Sequence, residues 1–262
     1  MAYSLKRIGR QARRLGVFNE VIMYTPEDVP DYVRESRLFA AKRGAGYWCW
    51  KPAIIEDALN RFEDGSVVVY VDAGCTLRKG SLWKEYLDYM QDYDTLCFQY
   101  DENQPQWKKW GATSSKMKYW TKKESLDFLC DYSGHKGIGD ICQVWGGCLF
   151  FKGQNNELLR TWHDLTFSHP DLIEDPSSDE MKDQYPWFAG HRHDQSLLTS
   201  LAVCDSRTLV LPEASEHYNP ESIVWASRIR ARSFCQYLEI QFKHSLRRII
   251  GDKLYEELKH II

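Results

Sequence analysis

The stretch GSVVVYVDAGCTL, residues 65–77, contains an unbroken apolar run, Val67 to Val71, that stops at Asp72, Ala73 and Gly74. A run of this length without polar alternation predicts a central strand, buried on both faces of a parallel sheet. Ligands of such sheets bind beyond the carboxyl ends of the strands. A buried carboxylate there needs a cation or hydrogen-bond donors. Asp72 is therefore predicted to hold a divalent cation or a sugar hydroxyl; the alternative is a turn that only finishes the strand.

Predicted helices and strands alternate on both sides of this run. Further strands are expected over residues 18–25, 95–100, 143–152 and 208–212, and helices over 4–16, 52–62, 81–92, 121–132, 155–168 and 193–204. The alternation predicts an α/β fold with a mostly parallel central sheet flanked by helices. Thr121 is expected to be the N-cap of its helix, with Glu124 completing a capping box. We expect residues 1–225 to form this domain and residues 226–262 a C-terminal extension of amphipathic helices.

The net charge of −3 is unevenly distributed along the 262 residues. Residues 1–16 carry five Lys or Arg and no acid, and the C-terminal segment is also basic, so the middle of the chain is acidic. An acidic body argues against nucleic-acid binding. Basic ends suit an anionic membrane surface, or are simply the solvated faces of helices. For the C-terminal helices, the alternatives are contact with a membrane, packing on the domain, or pairing with a second copy of the chain.

The cysteine content predicts a reducing compartment. Eight cysteines occur without a CxxC pair, and several lie in apolar surroundings, which is typical of buried thiols in a cytosolic protein. No apolar run is long enough to span a membrane, and the N-terminus lacks the apolar segment of a signal peptide. The expected location is cytoplasmic, with peripheral membrane contact as the alternative.

Three further motifs carry side chains suited to chemistry. GYWCWKP, residues 46–52, places Lys51 among aromatic residues before a helix, which suits a phosphate or sugar pocket or a hydrophobic anchor for the helix. WGGC, residues 145–148, opens an apolar strand with two glycines, which permit a bulge or close ligand approach. HRHDQS, residues 191–196, offers ligands or acid–base groups immediately before a helix, although Asp194 would also serve as a cap.

Several common enzyme classes are excluded by missing motifs. The chain contains no GxxxxGK[ST], GxGxxG, HExxH or GxSxG sequence. The P-loop, dinucleotide-binding, zinc-protease and α/β-hydrolase interpretations therefore have no support.

In this order the motifs resemble those of nucleotide-sugar-dependent glycosyltransferases of the GT-A (Rossmann-like) fold. The similarity is to the small capsule- and lipopolysaccharide-type transferases of bacteria and their relatives in large DNA viruses of algae. Their loop, strand-end, Gly-Gly and His-Arg-His-Asp-Gln-Ser motifs correspond here to residues 46–52, 70–74, 146–147 and 191–196. The resemblance covers about residues 5–205. The layout is distantly similar to the glycogenin-related retaining transferases, but Gly74 stands where they carry the second Asp of Asp-x-Asp.

The resemblance implies transfer of a sugar from a nucleotide diphosphate sugar, with UDP expected, to a glycan or lipid-linked acceptor hydroxyl. A retaining reaction is favoured; in an inverting one, Asp194 would be the base. Mn²⁺ or Mg²⁺ is the implied cofactor. The implied site comprises donor-binding Arg43, Tyr47, Trp50, Lys51, Tyr70, Asp72, Ala73 and Gly74; catalytic Asp194 and Gln195; acceptor- or sugar-binding Gly146, Gly147, His191 and His193; and metal-binding Asp72 and His217.

Two other functions are compatible with the same residues. A glycoside hydrolase would use Asp72 and Asp194 as its paired carboxylates and would need no nucleotide. A non-catalytic protein that binds nucleotides or sugars would retain the pocket without the reaction. Binding of UDP distinguishes the hydrolase from the other two functions, and release of UDP from a donor distinguishes the transferase from the binder.

Overall fold

The structure, a computed structural model, describes residues 2–216 and 219–250, except for the side chain of Arg248. Their contacts divide them into two compact units. The larger unit comprises residues 24–71 and 81–214, and the smaller unit comprises residues 2–23, 72–80 and the described residues from 215 onward. The chain therefore leaves the larger unit directly after Val71 and returns to it at Ser81.

The described residues form six strands in two sheets. The strands are β1 (Val67–Val71), β2 (Thr76–Leu77), β3 (Thr95–Gln99), β4 (Cys148–Lys152), β5 (Thr208–Pro212) and β6 (Val224–Trp225). The larger unit contains a four-stranded sheet of order β1-β4-β3-β5, and the smaller unit contains the antiparallel pair β2-β6. In the larger sheet β1, β3 and β5 run in one direction, and β4 runs between β1 and β3 in the opposite direction. The sheet is therefore mixed, with three of its four strands in one direction.

Helices connect and cover these strands. They are α1 (Ala2–Leu15), α2 (Asp31–Arg34), α3 (Gly44–Tyr47), α4 (Trp50–Asn60), α5 (Leu82–Tyr89), α6 (Gln106–Lys109), α7 (Met117–Trp120), α8 (Lys123–Ser133), α9 (Glu157–Ser168), α10 (Asp194–Cys204) and α11 (Phe234–Ile250). Short 3₁₀ turns occupy Pro26–Asp28, Arg37–Ala40, Ile138–Asp140, Pro170–Leu172 and Glu180–Lys182. The predicted α/β class, a central sheet with flanking helices, is confirmed.

The side chains of β4 alternate between two apolar layers. Leu149 and Phe151 belong to the core formed with α4, α9 and α10, where Phe151 stacks on Trp162 with ring centroids 6.5 Å apart. Phe150 faces the opposite layer and packs on Trp83 of α5 at 6.4 Å. All three β4 residues are fully buried, as expected for a strand covered on both faces.

The strand β1 differs from its prediction as a central, doubly buried strand. It pairs with β4 alone among the described strands, so it lies at one edge of the sheet, and all its residues are only half-buried. An apolar run shows that the side chains of a strand pack on other residues, but it does not show whether the strand has a hydrogen-bonded neighbour on both edges. The central strands are β3 and β4.

The reversed direction of β4 determines which residues share one rim of the sheet. Val71, the last residue of β1, pairs with Cys148, the first residue of β4. Gly146 and Gly147 therefore lie at the rim where β1 ends. Two motifs separated by more than 70 residues meet there.

Two local predictions were wrong. Residues 18–25, all described, form no strand. The N-cap of helix α8 is Lys122, one residue later than predicted, and the Thr121 hydroxyl donates a hydrogen bond to Ser196 Oγ at 2.9 Å. A tertiary partner has replaced the local capping box.

The smaller unit is held together by side chains of α1. Ser4 donates to Ile229 O and accepts from Ala231 N, both at 2.8 Å, which ties the helix to residues 229–231. Tyr3 packs on Tyr237 of α11 at 5.4 Å. Of all described helices, none combines the length and apolar character that a membrane crossing requires.

Candidate active site

A buried ion pair joins two of the sequence motifs within the larger unit. Lys51 Nζ lies 3.1 Å from Asp194 Oδ2, and the two side chains are 6% and 3% exposed. Lys51 stands in the first turn of α4 and Asp194 in the first turn of α10, where the positive end of the helix dipole also favours a carboxylate. Each charge offsets the desolvation of the other, because neither would be tolerated alone at this depth.

The other two motifs reach the same ammonium group. Lys51 Nζ donates to Gly146 O at 3.1 Å and lies 5.8 Å from the ring centroid of Tyr70, the penultimate residue of β1. A Cβ at position 146 would come within 3.2 Å of Nζ, so the glycine leaves room for this contact. Lys51, from the first motif, is thus close to one residue from each of the other three motifs.

The glycine at position 147 has a packing role. A Cβ there would lie 2.5 Å from the Trp145 indole, so the ring covers the backbone directly. The groups close to these two glycines are the side chains of Lys51 and Trp145, and close approach of a ligand stays a prediction.

Gln195 fastens α10 to the segment before β4. Its side-chain amide donates to Val144 O at 2.7 Å, and Thr199 Oγ1 accepts from Val144 N at 3.0 Å. These bonds fix Val144, two residues from Gly146. Gln195 therefore positions the backbone that Lys51 contacts.

The loop before α4 adopts a left-handed turn. Gly44, Ala45, Gly46, Tyr47 and Trp48 all have positive φ, with values between 50° and 95°. L-residues pay roughly 1–2 kcal/mol each in this region. Such strain is retained where surrounding contacts enforce it, and it clusters at functional sites.

The turn presents two aromatic rings to a second strained residue. His193 has φ 52° and ψ −122°, a conformation that favours glycine. Its ring stacks on Tyr47 at 4.8 Å and lies 5.8 Å from Trp48. Four of the five non-glycine residues with positive φ in the described chain are therefore in two contacting segments beside the Lys51–Asp194 pair.

The two histidines are buried and neutral. His191 accepts from Lys122 N through Nδ1 and donates from Nε2 to Leu172 O, which uses both nitrogens in structural bonds. His193 donates from Nδ1 to Ile173 O at 2.8 Å. Burial lowers the pKa of His193 to about 4 and lowers the pKa of His191 well below its usual value. His191 is therefore a structural residue, while Nε2 of His193 is a buried acceptor without a hydrogen-bond donor among the described residues.

Arg43 and Trp50 complete the predicted residues of the larger unit. Arg43 Nη1 lies 3.5 Å from Asp175 Oδ1, in the wall of a surface cavity of about 310 Å³. Trp50 donates to Gly44 O at 3.1 Å and thereby closes the left-handed turn.

The predicted residues Asp72, Ala73 and Gly74 belong to the smaller unit. There the backbone from 72 to 76 forms a turn, with Cys75 N donating to Asp72 O at 2.9 Å. Arg7 of α1 is buried and donates to Ala73 O at 3.2 Å, to Cys75 O and to Thr76 Oγ1 at 3.0 Å. Gly74 O accepts from Ile229 N at 2.9 Å. Arg7, one of the basic N-terminal residues, is therefore buried and stabilises this turn through its hydrogen bonds.

The described residues do not provide a complete set of metal ligands. They contain no group of three or more His, Cys, Asp or Glu side chains placed to hold an ion. His217, the second predicted ligand, lies outside the described residues.

Sequence reasoning missed Asp175, which contacts Arg43 and lies 3.7 Å from His193 Nε2. Asp175 is one of several acids in the irregular segment 168–190, and no local pattern distinguishes it. No protein-family model, curated protein or solved structure matches the chain.

Proposed function

We propose that the protein is a glycosyltransferase that moves a sugar from a nucleotide diphosphate sugar, with UDP as the expected nucleotide, to a glycan or lipid-linked hydroxyl. The observation that supports this most is the convergence on Lys51. The residues that carry the resemblance come from four distant segments, and Asp194, Gly146 and Tyr70 all lie within 6 Å of its ammonium group or contact it directly.

The ion pair suits the sugar of the donor better than its diphosphate. Lys51 and Asp194 together carry no net charge, so they do not by themselves attract a dianion. They do offer a fixed donor and a fixed acceptor, the pattern that recognises sugar hydroxyls. In this proposal Asp194 accepts hydroxyl bonds of the donor sugar, and Lys51 holds Asp194 and the Gly146 carbonyl in place.

The reaction exchanges one bond at the anomeric carbon. The bond to the diphosphate oxygen breaks as the bond to the acceptor oxygen forms, and the acceptor proton leaves on the diphosphate. A carboxylate already paired with Lys51 is poorly placed to take that proton, which favours the retaining course. A divalent cation would neutralise the departing diphosphate; Asp72 and His217 remain its predicted ligands.

Turnover of UDP-sugars tests the proposal. Release of UDP from a panel of UDP-hexoses and UDP-pentoses is measured for the wild type, Lys51→Met and Asp194→Asn. We expect kcat to fall at least 100-fold in both variants, because the sugar is no longer held for reaction. Lys84→Met is the control, since Lys84 forms an exposed pair with Asp88 on α5. Variants within threefold of the wild type would remove the pair from the mechanism.

A second measurement addresses the competing functions and Asp72. Calorimetry with UDP, with and without Mn²⁺, should give binding; a chain that cleaves oligosaccharides and ignores UDP is a hydrolase. Binding without any turnover indicates a non-catalytic protein. Asp72→Asn is expected to lower donor hydrolysis more than threefold, and a smaller effect would end the role given to Asp72.

A further inference from the structure

The cavity beside Arg43 is a described feature that the reaction above does not use. It has a volume of about 310 Å³, at the lower end of the range for small-molecule sites. Its polar lining residues are Arg43, Asp175 and His191, and its apolar lining includes Met181 and Phe188. All of these residues belong to the larger unit.

The chemistry of the wall fits a neutral sugar. The Arg43 and Asp175 side chains are 54% and 40% exposed, and their atoms are 3.5 Å apart, so both charges remain accessible to a ligand. A phosphate would meet the carboxylate, and a purely apolar ligand would leave both charges without partners. A pyranose supplies hydroxyls that donate to Asp175 and accept from Arg43, and its C–H face packs on Phe188.

The cavity is connected to the Lys51–Asp194 pair through one residue. Asp175 Oδ1 lies 3.7 Å from Nε2 of His193, which directly precedes Asp194. Nδ1 of His193 donates to Ile173 O, and burial lowers the pKa of the ring and keeps it neutral, so Nε2 is an acceptor. Nε2 therefore gives Asp175 no hydrogen bond. His193 is 1% exposed, and no donor among the described residues forms a hydrogen bond to its Nε2. A ligand hydroxyl in the cavity would donate to Asp175, the residue that links the cavity to His193.

We propose that this cavity binds the acceptor, as a neutral glycosyl residue held between Arg43 and Asp175 with its ring on Phe188. The assignment rests on the proposed function. It gives Arg43 a role toward the acceptor, in place of the donor diphosphate. The left-handed turn at residues 44–48 lies between Arg43 and Lys51 in the chain, and its Tyr47 ring stacks on His193. The turn therefore links the residue proposed for acceptor binding to the residue proposed for donor binding.

Saturation-transfer NMR on the full chain tests the binding. The probes are the methyl glycosides of glucose, galactose, mannose and N-acetylglucosamine. At least one glycoside should bind the wild type, and Asp175→Asn and Phe188→Ala should each weaken it at least tenfold, since one loses a charged hydrogen bond and the other the stacking surface. Asp179→Asn is the control, because Asp179 lies in the same segment but is 91% exposed and pairs only with Lys182 in the described contacts.

Donor hydrolysis in the same samples separates the two proposals. We expect the ratio of transfer to UDP release into water to fall at least tenfold in Asp175→Asn and to keep the wild-type value in Asp179→Asn. If the wild type hydrolyses a UDP-sugar but binds none of the glycosides, or if both cavity variants bind them normally, the cavity is not the acceptor site. If glycosides bind but no UDP-sugar is turned over, the proposed function fails, and the acceptor assignment fails with it.

Discussion

At the scale of single residues, the Lys51–Asp194 pair has the largest expected effect on stability. Lys51→Met keeps the aliphatic volume but leaves a buried carboxylate without its cation, which costs about 3–5 kcal/mol. Lys84→Met removes the same group from the exposed pair with Asp88 and should cost less than about 1 kcal/mol. Urea unfolding of both variants measures the difference. Equal losses would mean that burial contributes nothing to the pair.

His193 predicts a pH dependence of stability. Its pKa is about 4 in the folded chain and about 6.5 in the unfolded chain, so below pH 6.5 the unfolded chain binds a proton that the folded chain does not. Stability is therefore complete above pH 6.5 and falls as the pH decreases toward 4, by about 1.4 kcal/mol per pH unit at the steepest. The charged groups around the ring are Arg43, Asp175 and Arg192.

The test compares two histidines. His193→Asn keeps a side-chain donor for Ile173 O and removes the titrating ring, so its stability should fall less between pH 7 and pH 4.5 in urea titrations. His135→Asn changes an exposed histidine and should keep the wild-type slope. Parallel slopes for the wild type and His193→Asn would contradict the assignment of a buried neutral ring.

The left-handed turn at residues 44–48 is tested by a pair of glycines. Gly46 has φ 95° and a Cβ there would lie 2.8 Å from Phe39 Cα, whereas Gly111 has φ 93° and open space around it. Gly111→Ala should cost about 1–2 kcal/mol from backbone strain alone. Gly46→Ala adds a clash with backbone atoms and should cost clearly more in thermal or urea unfolding. A similar loss at both positions would show that the turn is not packed on Phe39.

The sequence identified individual residues better than it identified their partners. Lys51, Gly146 and Asp194 were predicted for one site and lie in contact. Their pairing could not be predicted, because Lys51 and Asp194 are more than 140 residues apart in the chain. The bond from Thr121 to Ser196 likewise joins segments that are distant in the sequence. Asp175 was missed for the same reason.

At the scale of elements, periodicity predicted the longer helices and the four strands of the larger sheet, because burial of one face or one stripe leaves a local pattern. It did not predict strand order or direction. The reversal of β4 and the edge position of β1 follow from pairings between residues about 80 positions apart, which an apolar run does not encode. The extended segment 18–25 illustrates the converse, since β-prone residues form a strand only when a neighbour pairs with them.

We expect helix α11 to bind anionic vesicles through an exposed apolar face. Phe234, Leu238, Phe242 and Ile249 share one face and are 50–81% exposed. Tyr3 packs on Phe234 and so places the start of this face beside the arginine-rich α1. Apolar side chains next to basic ones suit a membrane surface.

Flotation with phosphatidylserine-containing and neutral liposomes measures this binding. The wild type should float with the anionic vesicles, and the double variant Leu238→Ser/Phe242→Ser should float at least fivefold less. Gln236→Glu, on another side of the helix, is the control. Equal flotation of all three chains, or none by the wild type, would remove the membrane from the candidate partners and leave self-association to be examined.

At the scale of the whole molecule, the chain crosses between its two units four times. The predicted boundary at 225/226 precedes residues that are bonded within the smaller unit, since Ile229 and Ala231 are buried and bond to Ser4. Composition gave no sign of this interleaving, because a segment as short as 72–80 carries no signature of the unit it belongs to.

Two truncations locate the boundary. A chain that ends at 233 lacks α11 and the residues beyond it but keeps the bonds to Ser4, and it should unfold at nearly the wild-type temperature. A chain that ends at 225 loses those bonds and the buried Ile229, and its melting temperature should fall by several degrees. Equal melting of the two chains would support an independent domain over residues 1–225.

The distribution of thiols has a practical consequence. Of the eight free cysteines, Cys204 and Cys235 are the exposed ones, and they belong to the larger and the smaller unit respectively. Maleimide spin labels would react first at these two sulfurs. The natural chain is therefore already suited to double electron–electron resonance, which would measure the distance between the two labels with and without a nucleotide.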